Sequence, residues 1–266
     1  MKKIVSITML IFCVLCLFGK EKPDTIPKLP PPYQKFNIEV QVGFTPLYGC
    51  FPDRNLMFLQ SNLQSLNYDN YGDFYSYNNQ GVLLRTDIKF AYNFIPSLIV
   101  AGGVRVSYNF GFVEKNDNYP IPYPYKNDNG TLYFANIDKI TEHNLFIGIP
   151  ISFTYKAFNV KYFGIDLDVN TSFNYRINNS LNINFTNKNL AANIKAETET
   201  ALKENGLKNY YYDAGFGIML RFGKSDKTHF KIGATFPCFI NENNYITFVE
   251  EEFFNLKASV IIPLKN

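Results

Sequence analysis

Ionisable side chains recur at every second position of otherwise apolar segments. These side chains are the candidates in the sequence for catalysis or ion binding. Asp166 and Asp168 stand two residues apart, as a carboxylate pair for acid–base work would on one strand face. Arginines and lysines share the same phase and could neutralise them. The set of interest is Glu39, Arg85, Asp87, Lys89, Arg105, Asp166, Asp168, Asp213, Arg221, Lys231 and Lys257. Because both signs occur in similar numbers, the set predicts a structural charge network, with the lining of a selective channel as the alternative.

An enzyme would also need a nucleophile and a base. His143 and His229 are expected at opposite ends of the predicted strands, and no G-x-S-x-G or H-E-x-x-H motif occurs. Cys50, Cys238 and the two histidines could bind zinc only if all four converged. The sequence therefore predicts no catalytic residue, no metal and no cofactor, and the protein is not expected to be an enzyme.

A strict alternation of period two positions the charged residues. From Leu98 to Val113 the even-numbered residues are mostly apolar and the odd-numbered ones mostly polar or small, over 16 residues. An amphipathic helix does not produce this pattern. Eight segments follow it, roughly Phe36–Thr45, Gly81–Phe94, Leu98–Val113, His143–Lys156, Val160–Tyr175, Tyr210–Gly223, Thr228–Asn241 and Glu252–Lys265.

The apolar face of these segments is too large for the inside of an eight-stranded barrel, which leaves it facing lipid. Glycines fall on the polar face, where a crowded lumen needs small residues: Gly43, Gly103, Gly111, Gly148, Gly164, Gly215, Gly217 and Gly233. The gaps alternate between long and short, with turns predicted at 95–97, 157–159 and 224–227. This is typical of a transmembrane β-barrel with long extracellular loops. A soluble barrel or sandwich is the alternative.

The chain is expected to divide into three parts. Residues 1–19 combine a basic start, an apolar core and a small residue, which predicts a secretory signal peptide; an uncleaved anchor helix is the alternative. Residues 20–35 contain five prolines and predict an extended periplasmic leader, followed by the barrel at 36–266. Without residues 1–19 the chain keeps 24 basic and 23 acidic side chains, so no electrostatic case for nucleic acid exists.

The long connections between the predicted strands are expected to form the surface that contacts a ligand. Their aromatic residues have the composition of adaptable recognition surfaces. The candidates are Tyr68, Tyr71, Phe74, Tyr75, Tyr77, Tyr119, Tyr123 and Tyr125. The prolines of the second gap predict a stiff extended arm, and 189–205, ended by Gly206, predicts a short helix in the third. Cys50 and Cys238 are expected to stay unpaired, because strand spacing separates them by more than a disulfide tolerates; a disulfide closed by flexibility of the loop at Cys50 is the alternative.

Two local segments resemble those of small bacterial outer-membrane barrels, described as porin-like or OmpA/Opa-like eight-stranded proteins. Residues 147–151 (IGIPI) are similar to a strand common in that family. Residues 257–264 (KASVIIPL) are similar to its C-terminal assembly signal, although Lys265 and Asn266 replace the usual terminal aromatic. The resemblance implies an outer-membrane location, insertion by the assembly machinery, and outer-membrane lipids as partners. It also implies a structural, adhesin-like or receptor-like role, with a small channel as the alternative and a lipid hydrolase or protease less favoured.

Overall fold

Eight strands close into an antiparallel ring, and a ninth short strand extends its wall. The computed structural model describes residues 35–48, 78–114, 121–126, 130–160, 162–187, 192–204, 208–224, 226–240 and 254–264. The strands are β1 (Phe36–Tyr48), β2 (Asn78–Ile95), β3 (Leu98–Glu114), β4 (Ile121–Lys126), β5 (Leu132–Val160), β6 (Phe163–Phe185), β7 (Tyr210–Phe222), β8 (His229–Ile240) and β9 (Asn255–Pro263). The ring runs β1, β2, β3, β5, β6, β7, β8, β9 and back to β1. The predicted signal peptide and leader lie outside the described residues, apart from Lys35.

The outer surface of the ring is apolar and exposed, because alternation turns every second side chain outward. Phe90, Phe94 and Ile149 are 67%, 63% and 59% exposed, and similar residues line every strand of the ring. An apolar surface this extensive is stable against lipid and not against water. The predicted all-β, eight-stranded antiparallel transmembrane barrel is thus confirmed. No helix in the described part of the chain has the length and apolar character to cross a membrane.

The two ends of the barrel differ in their connections. The turn end is defined by the short connections after β2, β5 and β7, at 96–97, 161–162 and 223–228, and the loop end is the opposite one. The turn predicted at 157–159 is wrong. These residues belong to β5, where Asn159 still pairs with Gly164, because a bulge between Lys156 and Phe158 restores the register and carries the strand further.

At the loop end, β5 and β6 rise above their neighbours as a long hairpin. The structure corrects the predicted loops here, since 132–142 and 176–185 are paired strand. β4 includes Pro122 and Pro124 of the predicted extended arm, whose Pro120 lies outside the described residues, and it pairs along Leu132–Ile137 of β5. Register shifts between Ile137 and Lys139, and between Leu145 and Phe146, bring apolar residues onto the buried face. These buried residues are Ala135, Ile137, Ile140, Leu181, Ile183 and Phe185.

A helix, α1 (Ala192–Glu204), covers the hairpin. The predicted range of 189–205 agrees with it within a turn. β7 begins opposite Tyr175, so among the described residues no strand pairs with β6 beyond that point on its β7 side. The Glu199 carboxylate accepts a hydrogen bond from the backbone N–H of Ile183 at 3.4 Å, and Leu202 is fully buried. The helix thereby protects an edge that would otherwise expose unpaired backbone groups.

Replacing Leu202 with alanine is expected to loosen α1, because burying a leucine stabilises by about 2–5 kcal/mol relative to the cavity left by alanine. Limited proteolysis of the folded barrel should cut faster between 186 and 209, while the ring strands survive. The matched control is Glu197→Gln, on the exposed side of the same helix. Equal cleavage rates for both variants would contradict the packing role of Leu202.

Candidate functional site

All eleven charged residues predicted for the lumen point inward, and none exceeds 8% exposure. The strand alternation that turns large apolar residues outward brings these residues together inside. A buried charge is tolerated only when it is paired and hydrogen-bonded. The contacts of each group therefore decide what the lumen can do.

The middle of the lumen is organised around Arg105. Its Nε and Nη2 donate to the two carboxylate oxygens of Asp87, at 2.7 and 2.9 Å. Its Nη1 donates to Ser172 at 2.7 Å and reaches Asp213 at 3.4 Å. Arg85 lies 3.6 Å from the same Asp213 carboxylate and donates to the Thr45 hydroxyl at 2.8 Å. The forked, charge-assisted contact with Asp87 fixes the Arg105 guanidinium group in place.

Nearer the turn end, each acidic group has its own cations. The Lys231 ammonium lies 2.9 Å and the Arg221 Nε 3.4 Å from the carboxylate of Asp166. Asp168 instead accepts from the Thr154 hydroxyl at 2.7 Å and faces the Lys257 ammonium at 4.0 Å. Asp166 and Asp168 therefore belong to separate ion-pair groups and do not form an acid–base pair.

Glu39, the remaining acidic member, lies 3.3 Å from the Lys89 ammonium. The same ammonium donates to the Gln41 side chain at 2.9 Å. Among the arginines of the predicted charge network, Arg105 thus opposes Asp87 and Arg221 opposes Asp166. Arg85 opposes Asp213.

Sequence reasoning missed a polar network closer to the loop end. Asn144 donates to Glu142 at 2.8 Å and to Asn109 at 3.2 Å, and Asn179 donates to Asn144 at 2.6 Å. Glu142 is fully buried. It precedes the predicted start of the strand at His143, and Asn179 follows the predicted strand end at Tyr175. The polar phase of β5 runs on to Glu142 and could have indicated the longer strand.

An apolar layer also crosses the lumen, built from Leu47, Leu83, Phe146 and Tyr211, each at most 2% exposed. Phe146 and Tyr211 meet edge to face with ring centroids 5.0 Å apart. The guanidinium carbon of Arg176 lies 5.1 Å from the centroid of the Phe146 ring. These residues share the inward phase of the polar face, so they are apolar exceptions to the alternation of polar and apolar residues.

A small cavity lies between the Arg105 centre and β8. It has a volume of about 20 Å³ and touches Arg85, Arg105, Asp213, Asn170 and Asn255 among others. A space of this size admits one water molecule and no solute.

The two histidines are placed at opposite ends of the barrel. His143 is on the outer surface near the loop end, with its Nδ1 2.6 Å from the Tyr108 hydroxyl. His229 lies inside at the turn end, with its Nδ1 2.8 Å from the carbonyl oxygen of Lys227. Within the described residues no group of three or more acidic, histidine or cysteine side chains could hold a metal ion.

Most of the predicted contact surface is not covered. Tyr68, Tyr71, Phe74, Tyr75, Tyr77 and Tyr119 lie outside the described residues, as does Cys50. Tyr123 and Tyr125 belong to β4, and Cys238 to β8, with their side chains outside the described part.

Comparison with known proteins gives little beyond this geometry. No family model matches the chain, and no curated protein matches it. An outer-membrane channel from Pseudomonas putida F1 has 8% identity and a TM-score of 0.27, with 91% of this chain and 99% of that chain covered. The toluene transporter TbuX from Ralstonia pickettii has 9% identity and a TM-score of 0.23, with 88% and 89% covered. Likeness at this level leaves the function to be argued from the chain's own contacts.

Proposed function

We propose that the protein is a closed barrel of the bacterial outer membrane with a structural or surface-binding role at its loop end. The observation that carries the proposal is the mutual pairing of the lumen charges, above all the forked Arg105–Asp87 contact and the Asp213 carboxylate shared by Arg85 and Arg105. Side chains held this way fill an eight-stranded lumen, whereas open aqueous channels occur in barrels of about sixteen strands.

The outer membrane is the location that the fold supports best. Single-chain bacterial outer-membrane barrels have an even number of antiparallel strands, short periplasmic turns and long outer loops. On that basis the turn end faces the periplasm and the loop end faces outward. The predicted signal peptide and the family-like segment at 257–264 agree with delivery to the assembly machinery, with outer-membrane lipids around the barrel.

The surface-binding part of the proposal rests on the hairpin of β5 and β6. It extends the wall above the lipid-facing ring and is covered by β4 and α1. A membrane anchor alone does not require this added structure. The predicted aromatic contact residues belong to the connections at the same end, which makes this end the candidate surface for an extracellular ligand. No residue constellation described above supports an enzymatic role.

The competing function is a small channel, and conductance separates the two. We expect the purified, refolded protein to give no steady current in a planar bilayer, because the paired side chains and the apolar layer occlude the lumen. A sixteen-stranded porin inserted into the same membranes is the positive control. Stable, ion-selective single-channel steps would refute the closed barrel and assign the lumen charges to a conduction pathway.

A further inference from the structure

Cations outnumber carboxylates at the turn end of the lumen. Glu39 is matched by Lys89 and Asp168 by Lys257, while Asp166 alone faces both Arg221 and Lys231. Lys156 is the direct cross-strand partner of Asp166 and interacts electrostatically with Arg221 and Lys231 as well. Around Asp166, the three cations Arg221, Lys231 and Lys156 thus surround one carboxylate, and of these Lys231 also interacts with Glu39 and Asp168.

Two cations of this group lie directly beside each other. Arg221 and Lys231 are direct cross-strand partners on β7 and β8, both with inward, buried side chains. Like charges in that position repel each other. Asp166 contacts both cations, at 3.4 and 2.9 Å, and Lys156 adds a third cation to the same group.

Arg221 also keeps a free donor inside this group. The side chain is 1% exposed, its Nε faces Asp166, and its Nη2 donates to Asn159 at 3.1 Å. Its Nη1 is buried and has no hydrogen-bond partner among the described residues. Gly164 lies opposite, where a Cβ would overlap the guanidinium group, so the glycine keeps the space that Arg221 occupies. A buried charged donor without an acceptor is costly, and an oxyanion is the acceptor that a guanidinium group fits best.

The cluster can be reached from the turn end. Lys156 is half-buried and Asn159 is exposed, while Arg221, Lys231 and Asp166 lie behind them in the lumen. An anion entering from this end would meet Lys156 first. The loop end is separated from the cluster by the Arg105 centre and the apolar layer.

We propose that Arg221, Lys231 and Lys156 form a binding site for a small oxyanion of the phosphate class at the turn end of the lumen. Asp166 positions Arg221 and Lys231, and the Nη1 of Arg221 and the ammonium of Lys156 supply the donors. The oxyanion is either free phosphate or the phosphate of a lipid headgroup at the rim. This inference does not depend on whether the lumen conducts.

The first test uses inorganic phosphate and the refolded full chain in maltoside micelles, which contain no phosphate. Phosphate at constant ionic strength is expected to raise the midpoint of thermal unfolding in a saturable way, since a ligand that binds only the folded state stabilises it. Lys156→Gln should weaken the apparent phosphate affinity about tenfold, as expected for the loss of one charged contact. The control is Lys227→Gln, which removes an exposed cation from the neighbouring turn and should bind phosphate as the unmodified chain does.

A second arm distinguishes a lipid phosphate. In phosphate-free buffer, vesicles with and without phosphatidylglycerol are compared for the unmodified chain and for Lys156→Gln. Stabilisation by phosphatidylglycerol alone, reduced in Lys156→Gln, would identify a headgroup as the ligand. Arg221→Gln removes the guanidinium group and its charge and can fail to fold. Arg221→Lys keeps the positive charge and removes the Nη1 donor, so this variant should bind either anion more weakly than the unmodified chain. Absence of saturable stabilisation in both arms, or equal stabilisation of Lys156→Gln and the unmodified chain, would overturn the proposal.

Discussion

Replacing Asp87 with alanine is expected to lower the free energy of unfolding by about 3–5 kcal/mol, which is the usual cost of leaving a buried ion without its partner. Asp87 is 2% exposed and supplies both acceptors of the forked contact with Arg105. Its removal leaves the guanidinium group with Ser172 and the more distant Asp213. Urea titration of the barrel in lipid vesicles, followed by tyrosine fluorescence, measures the change, since the chain has no tryptophan.

Lys139→Gln is the matched control. It breaks the Lys139–Glu114 pair, whose atoms are 3.9 Å apart and whose side chains are 33% and 48% exposed, so a loss of only about 0–1 kcal/mol is expected. In the double variant Asp87→Ala with Arg105→Met, no unpaired charge remains at the pair, and part of the stability should return. A double variant less stable than Asp87→Ala alone would show that Arg105 contributes mainly through its other partners.

Gly103→Ala is expected to prevent normal closure of the barrel, whereas Gly102→Ala should be tolerated. A Cβ on Gly103 would overlap the carbonyl oxygen of Ile88 and stand 2.7 Å from the Cα of Lys89, and these are backbone atoms that cannot rotate away. Overpacking of this kind typically costs about 1–3 kcal/mol and occasionally more. A Cβ on Gly102 would meet the carbonyl oxygen of Pro150 at 3.8 Å, an ordinary contact.

Both variants replace a glycine with alanine in the same strand, so they change composition and strand propensity equally. A difference in stability between them therefore reports the packing effect. The readout is the fraction of chain that refolds to the compact, heat-modifiable form on an unheated gel, together with the urea midpoint. Equal refolding of both variants would mean that β2 and β3 can separate locally to admit a methyl group, against the geometry described above.

The alternation of apolar and polar residues was enough to predict the ring, because every strand with lipid on one side shows the same two-residue period. It failed where bulges change the phase. β5 runs beyond the predicted His143–Lys156 range in both directions, with register shifts at Ile137/Lys139 and Lys156/Phe158. Above the ring, the apolar residues of the β5–β6 hairpin turn to a protein-covered face, so the rule that apolar residues point outward no longer holds.

The lumen residues were predictable as a set and not as pairs. Phase alone indicates that Arg85 and Asp213 face inward, but they are 128 positions apart in the chain and meet only because the ring brings β2 opposite β7. Lys156 was left out of the predicted lumen set because it was expected to end its strand. Side chains at the rim of a barrel point inward and are still partly exposed, and the alternation of polar and apolar residues does not distinguish them from side chains that are fully buried.

The closing seam between β1 and β9 has a consequence for how the barrel is made. Asn37 pairs with Pro263 and Phe44 with Leu256, so the contacts that complete the ring join chain segments more than two hundred residues apart. Loop closure over such a distance is entropically costly, and topologies dominated by distant contacts fold slowly. Until β9 has been delivered, β1 and β8 each present an open edge to other chains. The interval between export and seam closure is therefore the period in which this protein is most exposed to aggregation and most dependent on chaperones.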